Sequence, residues 1–128
     1  MSELLHKELS YKIVGILFEV HKKLGRFCSH KQYCDAFEIL LKQNNINYQR
    51  EVEVPIEFGK DILYGNILDF LIENLIPVDI KAKKFTTVQD YVQMKRYLFA
   101  AKRKLGLVVN FRQISLKPKR VINSKGEK

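Results

Sequence analysis

A chain of 128 residues suits one domain, and a domain of that length buries roughly two-thirds of the surface its unfolded chain exposes. Apolar residues make up 46% of it, which excludes a disordered chain, and no apolar run nears the ~20 residues that cross a bilayer. The 23 basic and 14 acidic residues leave a formal charge of +9, which favours a polyanionic partner, nucleic acid first. The opening MSELLHKELS carries acids early and no signal-peptide pattern, so a cytoplasmic protein without membrane attachment is expected. One domain is expected over residues 1–122, followed by a flexible tail, NSKGEK, over 123–128.

Apolar residues at Leu9, Ile13, Ile16, Leu17, Val20 and Leu24 fall at helical spacing, and Gly25 can stop that helix. Cys28 and Cys34, the only cysteines, sit close to His30 in FCSHKQYCDAF; with one ligand too few for the usual zinc set, they read as ordinary reduced thiols. A second helix follows from Tyr33, Ala36, Phe37, Leu40 and Leu41 and ends near NNIN. The period then becomes two. In REVEVPIEF, Val52, Val54 and Ile56 alternate with Glu51, Glu53 and Pro55, and Gly59-Lys60-Asp61 reads as a turn. A second strand is expected over 62–72, bent at Gly65, and Asn74 turns the chain into a third, LIPVDIKAKK, over 75–84. Thr86 or Thr87 can cap a third helix carrying Val88, Tyr91, Val92, Leu98 and Ala101. LGLVVNF reads as a central strand, and SLKPKRVI as an edge strand interrupted by Pro118. The order is α-α-β-β-β-α-β(-β), an α/β domain with a mixed sheet flanked by helices.

Asp69 in NILDFLIEN and Asp79 in LIPVDIKAKK are acids inside apolar strands, and a lone buried carboxylate costs several kcal/mol unless it is paired, protonated or bound to metal. The Asn74 turn lies midway between them, so a hairpin brings the two together. Two close carboxylates repel, and a hard divalent cation relieves the repulsion. Lys81 points to the same face as Asp79, where its ammonium can hold a water or offset phosphate charge. A structural ion pair between Asp79 and Lys81, with Asp69 capping a turn, reads equally from these residues. Basic residues crowd two places: Lys95, Arg96, Lys102, Arg103 and Lys104, then Lys117, Lys119 and Arg120.

Asp69, Asp79 and Lys81 in their D…DIK setting, with helix, three strands, helix and strand around them, resemble the PD-(D/E)XK nuclease superfamily. LSYKIVGILFEVHKKLG, KQYCDAFEILL, LDFLIEN, VDIKAKKF, DYVQMKRYL and LGLVVNFR, in register over about residues 8–122, look like its small GxxExxY proteins. The resemblance implies a nuclease dependent on Mg²⁺ or Mn²⁺, with Asp69, Asp79 and the backbone carbonyl of Ile80 as metal ligands and Lys81 as the catalytic lysine. It pairs Gln93 with Tyr97 as the Q-x-x-x-Y of RecB-type nucleases, near the metal. The signature's glycine, glutamate and tyrosine fall at Phe27, His30 and Tyr33, so only the tyrosine is kept. His30 can stand in for the glutamate as a metal ligand, since RecB-type nucleases take a histidine from an early helix. The basic residues named above would hold the nucleic-acid backbone, with DNA favoured over RNA. Small nucleases of the superfamily are often dimers, which allows a homodimer. The rival reading keeps the fold for nucleic-acid binding without catalysis.

Overall fold

Residues 6–128 are described by the structure, a computed structural model; the first five residues of the expected domain lie outside them. Ten elements follow one another: α1 (Lys7–Leu24), α2 (His30–Gln43), β1 (Tyr48–Glu53), β2 (Ile56–Phe58), β3 (Asp61–Leu63), β4 (Ile67–Ile72), β5 (Ile76–Lys81), α3 (Val88–Ala101), β6 (Leu105–Asn110) and β7 (Lys119–Ile122). Five strands form one mixed sheet in the order β1-β4-β5-β6-β7, parallel only between β5 and β6, with α3 as the connection a parallel pair requires. No helix among the described residues is long and apolar enough to cross a membrane.

The element order agrees with the sequence, but two expected strands are each split. Pro55 has no N–H to give a ladder, and Gly65 takes φ +115°, so REVEVPIEF divides into β1 and β2, and 62–72 into β3 and β4. β2 and β3 pair with each other as a separate hairpin. Expected tail residues carry backbone bonds: Glu127 N donates to Lys102 O (3.1 Å) and Lys104 N to Lys128 O (2.6 Å).

The sheet divides the core. Ile13, Leu17, Phe37 and Leu41 of α1 and α2 pack on Ile76, Val78, Ile80 and Phe70. Met94, Tyr97 and Leu98 of α3 pack on Leu71, Val108 and Val121 across the other face. Alternation along β5 therefore turns Ile76, Val78 and Ile80 towards α1 and α2, and sends Asp79 and Lys81 to the α3 side.

β4 departs from that alternation. Phe70 belongs to the α1–α2 core, yet Leu68, two residues earlier, belongs to the α3 core. The strand therefore kinks at Asp69. Its neighbour shows the cause: β1 pairs Arg50 with Phe70 and Val52 with Leu68, and Glu51, between them, is left out with φ 55°. A left-handed residue inside a strand cannot keep the ladder, and for a non-glycine it costs ~1–2 kcal/mol. Glycine carries no such penalty. Glu51→Gly should therefore raise the melting temperature slightly, whereas Glu51→Val should lower it although valine is the better strand former; thermal denaturation of the two variants checks this.

Candidate active site

The kink frees the Asp69 carboxylate from the regular strand positions. β4 and β5 pair from Phe70↔Val78 to Ile72↔Ile76, and at the next position the backbone ladder gives way to a side chain: Ile80 N donates to Asp69 Oδ2 at 2.7 Å. Asp69 thus sits beside Asp79, as the hairpin reading expects. It also reaches α2, where His30 Nε2 lies 3.1 Å from the same Oδ2. His30 is held there locally. Ser29 caps α2 by accepting from Gln32 N while its own N–H donates to the Gln32 side chain, so the helix starts at His30. Tyr33 braces the preceding loop, donating to Gly25 O at 2.7 Å and accepting from Cys28 N at 3.2 Å.

Asp79 is only 3% exposed. Burial first, then the charge of Asp69, pushes its carboxyl up to about 7, against a smaller opposing pull from Lys81. Lys81 Nζ lies 2.8 Å from Asp79 Oδ2 and donates to Gln93 Oε1 at 2.7 Å. The contact with Oδ2 has the distance of an ion pair without the alignment of a hydrogen bond, so this buried oxygen keeps a lone pair unspent. A buried carboxylate oxygen that meets one ammonium and no aligned donor, beside a second carboxylate, belongs to a donor set that fits a divalent cation.

Tyr97 adjoins the Gln93 side chain and also reaches the strand that carries Asp69. Its hydroxyl donates to Ile67 O at 2.5 Å, two residues before Asp69, so it anchors the kinked strand. Burial, then the charges of Asp79 and Asp69, pushes this phenol well above its ordinary value.

Three residues of this region, Lys83, Asp90 and Asn110, have no place in the sequence reading, and a fourth, Cys34, reads there as an ordinary reduced thiol. Asp90 accepts from Lys83 Nζ (2.6 Å) and from Thr87 N (2.7 Å). Burial works to raise its pKa, but those bonds prevail and hold it below the usual carboxylate range. Asn110, buried at the end of β6, grips the chain just beyond Lys81: its Nδ2 donates to Lys83 O (2.8 Å) and its Oδ1 accepts from Lys83 N (3.1 Å). Cys34 Sγ lies 3.6 Å from His30 Nε2, and burial, then Asp69, pushes the thiol up to about 12. The T-x-x-D of the α3 cap and a lone polar residue ending an apolar strand signalled Asp90 and Asn110; nothing in the spacing signalled Lys83, and the spacing set Cys34 near His30 without bringing in Asp69.

The basic residues do not converge. Lys95 and Arg96 are exposed on α3. Lys102, Arg103 and Lys104 lie where α3 turns into β6, and Arg103 is committed there, donating to Asn74 O, Asn74 Oδ1 and Ala101 O. Asn74 belongs to the turn before β5, while Asp79 and Lys81 lie at the strand's far end; six residues of strand span roughly 17–20 Å. Lys117 is exposed, Lys119 Nζ sits 5.8 Å from the Tyr91 ring, and Arg120 donates to Ser10 Oγ at 3.4 Å. By contrast, Phe111 N donates to Lys81 O, which brings the following Arg112 to the strand end that carries Lys81. There Arg112 and Arg26 flank the Phe27 ring at 5.6 and 4.8 Å, and that ring is 75% exposed.

The sequence pattern of the PD-(D/E)XK nuclease superfamily matches residues 7–121. The chain belongs to this superfamily. Among solved structures, the crystal structure of SSO0001 superposes with a TM-score of 0.55 at 21% identity, over 92% of this chain and 57% of the other. That likeness concerns the fold, and the chain spans little more than half the length of its neighbour. No protein of curated function matches the chain. PD-(D/E)XK nucleases generally use divalent metals, and a nuclease superfamily implies a nucleic-acid substrate at the level of the family.

Asp79 gives a pH signature in the metal-free protein. Its folded value of about 7 stands above the 3.8 of an ordinary aspartate, so between these the folded state holds a proton that the unfolded state releases. Its contribution is present below pH 4 and lost as the pH rises towards 7. In chelator, the Asp79→Asn variant should therefore gain stability relative to the parent over that interval and keep the gain at pH 8; urea unfolding of both proteins from pH 4 to 8 checks this.

Proposed function

We propose that the protein hydrolyses phosphodiester bonds in nucleic acid, with Asp69 and Asp79 holding a divalent cation and Lys81 acting on the reacting atoms. DNA is favoured over RNA on the family resemblance alone, and the six GxxExxY-like motifs in register favour that branch of the superfamily. One observation carries the reading: Asp79 is buried with an unspent carboxylate oxygen beside a second carboxylate. For stability alone that arrangement is a cost, and membership of a nuclease superfamily supplies the reason to keep it.

A bound Mg²⁺ or Mn²⁺ would supply Lewis-acid stabilisation of the phosphate and a more acidic water. The chain's own part is positioning and charge. Asp69 and Asp79 offer carboxylate oxygens, the carbonyl of Ile80 is a further candidate ligand, and His30 Nε2 approaches from α2. Lys81, oriented by Gln93, brings a positive charge to the scissile phosphate and a donor to the attacking water. Gln93 fixes that ammonium against Asp79, and Tyr97 is a positioning residue that holds the strand of Asp69 through Ile67. Lys95, Arg96, Lys102, Lys104, Lys117, Lys119 and Arg120 would bind phosphates along a longer strand. The engagement of Arg103 with Asn74 supports a structural part for it.

The second reading, nucleic-acid binding without cleavage, draws on His30 standing where the signature has glutamate. The decisive experiment incubates the pure protein with labelled single-stranded, duplex and branched DNA and RNA, in Mg²⁺, Mn²⁺ or chelator. The proposal expects metal-dependent cleavage that Asp79→Ala and Lys81→Ala each reduce at least ~100-fold, with binding kept. Binding without cleavage by the parent in every metal would establish the second reading.

Salt dependence tests the surface assignment. Replacing Lys95 and Arg96 by Gln should lower the slope of log affinity against log salt by ~1 for each phosphate no longer neutralised, and Arg103→Gln should leave the slope unchanged while lowering the melting temperature. Binding titrations at several salt concentrations measure the first effect, and thermal denaturation the second.

A further inference from the structure

Three donor atoms of different chemistry meet on the α2 side of Asp69. His30 Nε2 lies 3.1 Å from Asp69 Oδ2 and 3.6 Å from Cys34 Sγ, and the three ligand atoms all fall within 4.8 Å of one another. His30 and Cys34 are four residues apart on α2, which puts them on one helix face, and the β4 kink delivers Asp69 to it. Tetrahedral zinc binds nitrogen and oxygen at ~2.0–2.2 Å and sulfur at ~2.3 Å, so nitrogen and oxygen ligands stand ~3.3 Å apart and nitrogen and sulfur ~3.6 Å. The two spacings match these to a few tenths of an ångström, while Sγ, 4.0 Å from Nδ1, lies to the side of the ring and has to swing to meet a cation on Nε2.

Asp69 Oδ2 already accepts from Ile80 N at 2.7 Å, and the Cys34 thiol lies beside the imidazole, 3.6 Å from Nε2 and 4.0 Å from Nδ1. A carboxylate oxygen keeps a second lone pair, so a cation on Nε2 can share Asp69 with Ile80 and draw in the thiol once Sγ swings towards it. The way in is open: a cleft of about 440 Å³ adjoins the trio, lined also by Lys31, Asp35, Arg50 and Glu51. Arg50 is held by Asp35 and Glu38 at 2.8 Å each, so it does not fill the position.

We propose that His30, Cys34 and Asp69 form a site for a thiophilic divalent cation, Zn²⁺ first, with its fourth position open to the cleft. Binding releases the Cys34 thiol proton to solvent and leaves a metal thiolate. Mg²⁺ does not take sulfur, so the site discriminates between hard and soft ions. Binding here stands without the nuclease reading. One consequence rests on that reading: Zn²⁺ at this site occupies Asp69, so it suppresses cleavage supported by Mg²⁺ or Mn²⁺, and Cys34→Ser relieves the suppression.

Co²⁺ reports on the site directly. The reduced full-length chain is titrated with Co²⁺ under anaerobic conditions and followed by absorbance. The proposal expects a sulfur-to-cobalt charge-transfer band in the near ultraviolet that saturates at one ion per chain and disappears when Zn²⁺ is added. Cys34→Ser should lose the band, Cys28→Ser should keep it, and competition titrations should show Zn²⁺ affinity falling at least ~100-fold in Cys34→Ser, beyond the loss typical of a residue that only supports a ligand. No band in the parent, or a band that survives in Cys34→Ser, overturns the site. If Cys34→Ser does not fold, His30→Ala serves: the expected result is a tenfold or greater loss of Co²⁺ affinity, and an unchanged affinity overturns the site. An intact band in a protein that cleaves nothing counts against the nuclease reading alone.

Discussion

Asp79 lies in the middle of a five-stranded sheet with Asp69 beside it, and the surrounding structure is arranged around that repulsion. No aligned donor reaches the buried Asp79 Oδ2 among the described residues. Lys81 answers the charge in part, and Gln93 keeps Lys81 in place. Asn110 and Asp90 hold the segment after Lys81 by its backbone and through Lys83. Tyr97 pins the approach to Asp69. Removing one member of a buried charged set commonly costs more than the set contributes, because the remaining charge is stranded. Such a set is poor as a stability device and good as a binding site.

The same strands that bring the carboxylates together are irregular where they do so. Glu51 drops out of the β1–β4 ladder, β4 kinks at Asp69, and the Asp69 carboxylate takes the N–H of Ile80. The irregularity has a use. A regular strand would turn Asp69 to the α3 face with Asp79 and away from α2. The kink lets it face both, so the Asp79 carboxylate lies on one side and an imidazole with a thiol on the other. On the two proposals, two metal chemistries would share one carboxylate.

Much of this was legible in the sequence, for local reasons. Period-two and helical spacing placed the elements, and a turn midway between Asp69 and Asp79 was enough to bring them together. Lys81 followed from being two residues beyond Asp79. What stayed hidden depends on long-range or backbone detail. A positive φ at Glu51 has no mark in the alternating REVEV run, so the kink could not be read. The division at Gly65 was visible only as a bend, and Pro55 read as one more position of an alternating strand. Cys34 sits four residues from His30, yet its approach to Asp69, 35 residues later, depends on how α2 lies on the sheet. Crowding of Lys102, Arg103 and Lys104 suggested a phosphate-binding patch, but Arg103 is spent on Asn74. Proximity in sequence says nothing about which cations already have partners.

The central claim is that the carboxylate pair of buried Asp79 and half-buried Asp69 is kept for a divalent cation. Calorimetric titration with Mn²⁺ at pH 8 tests it most directly, comparing the parent with Asp69→Asn and Asp79→Asn. The expected result is saturable binding in the parent and at least a hundredfold weaker binding in both variants, each of which remains folded. Equal affinity in the parent and Asp79→Asn would contradict it, and would leave Asp79 and Lys81 as a structural ion pair.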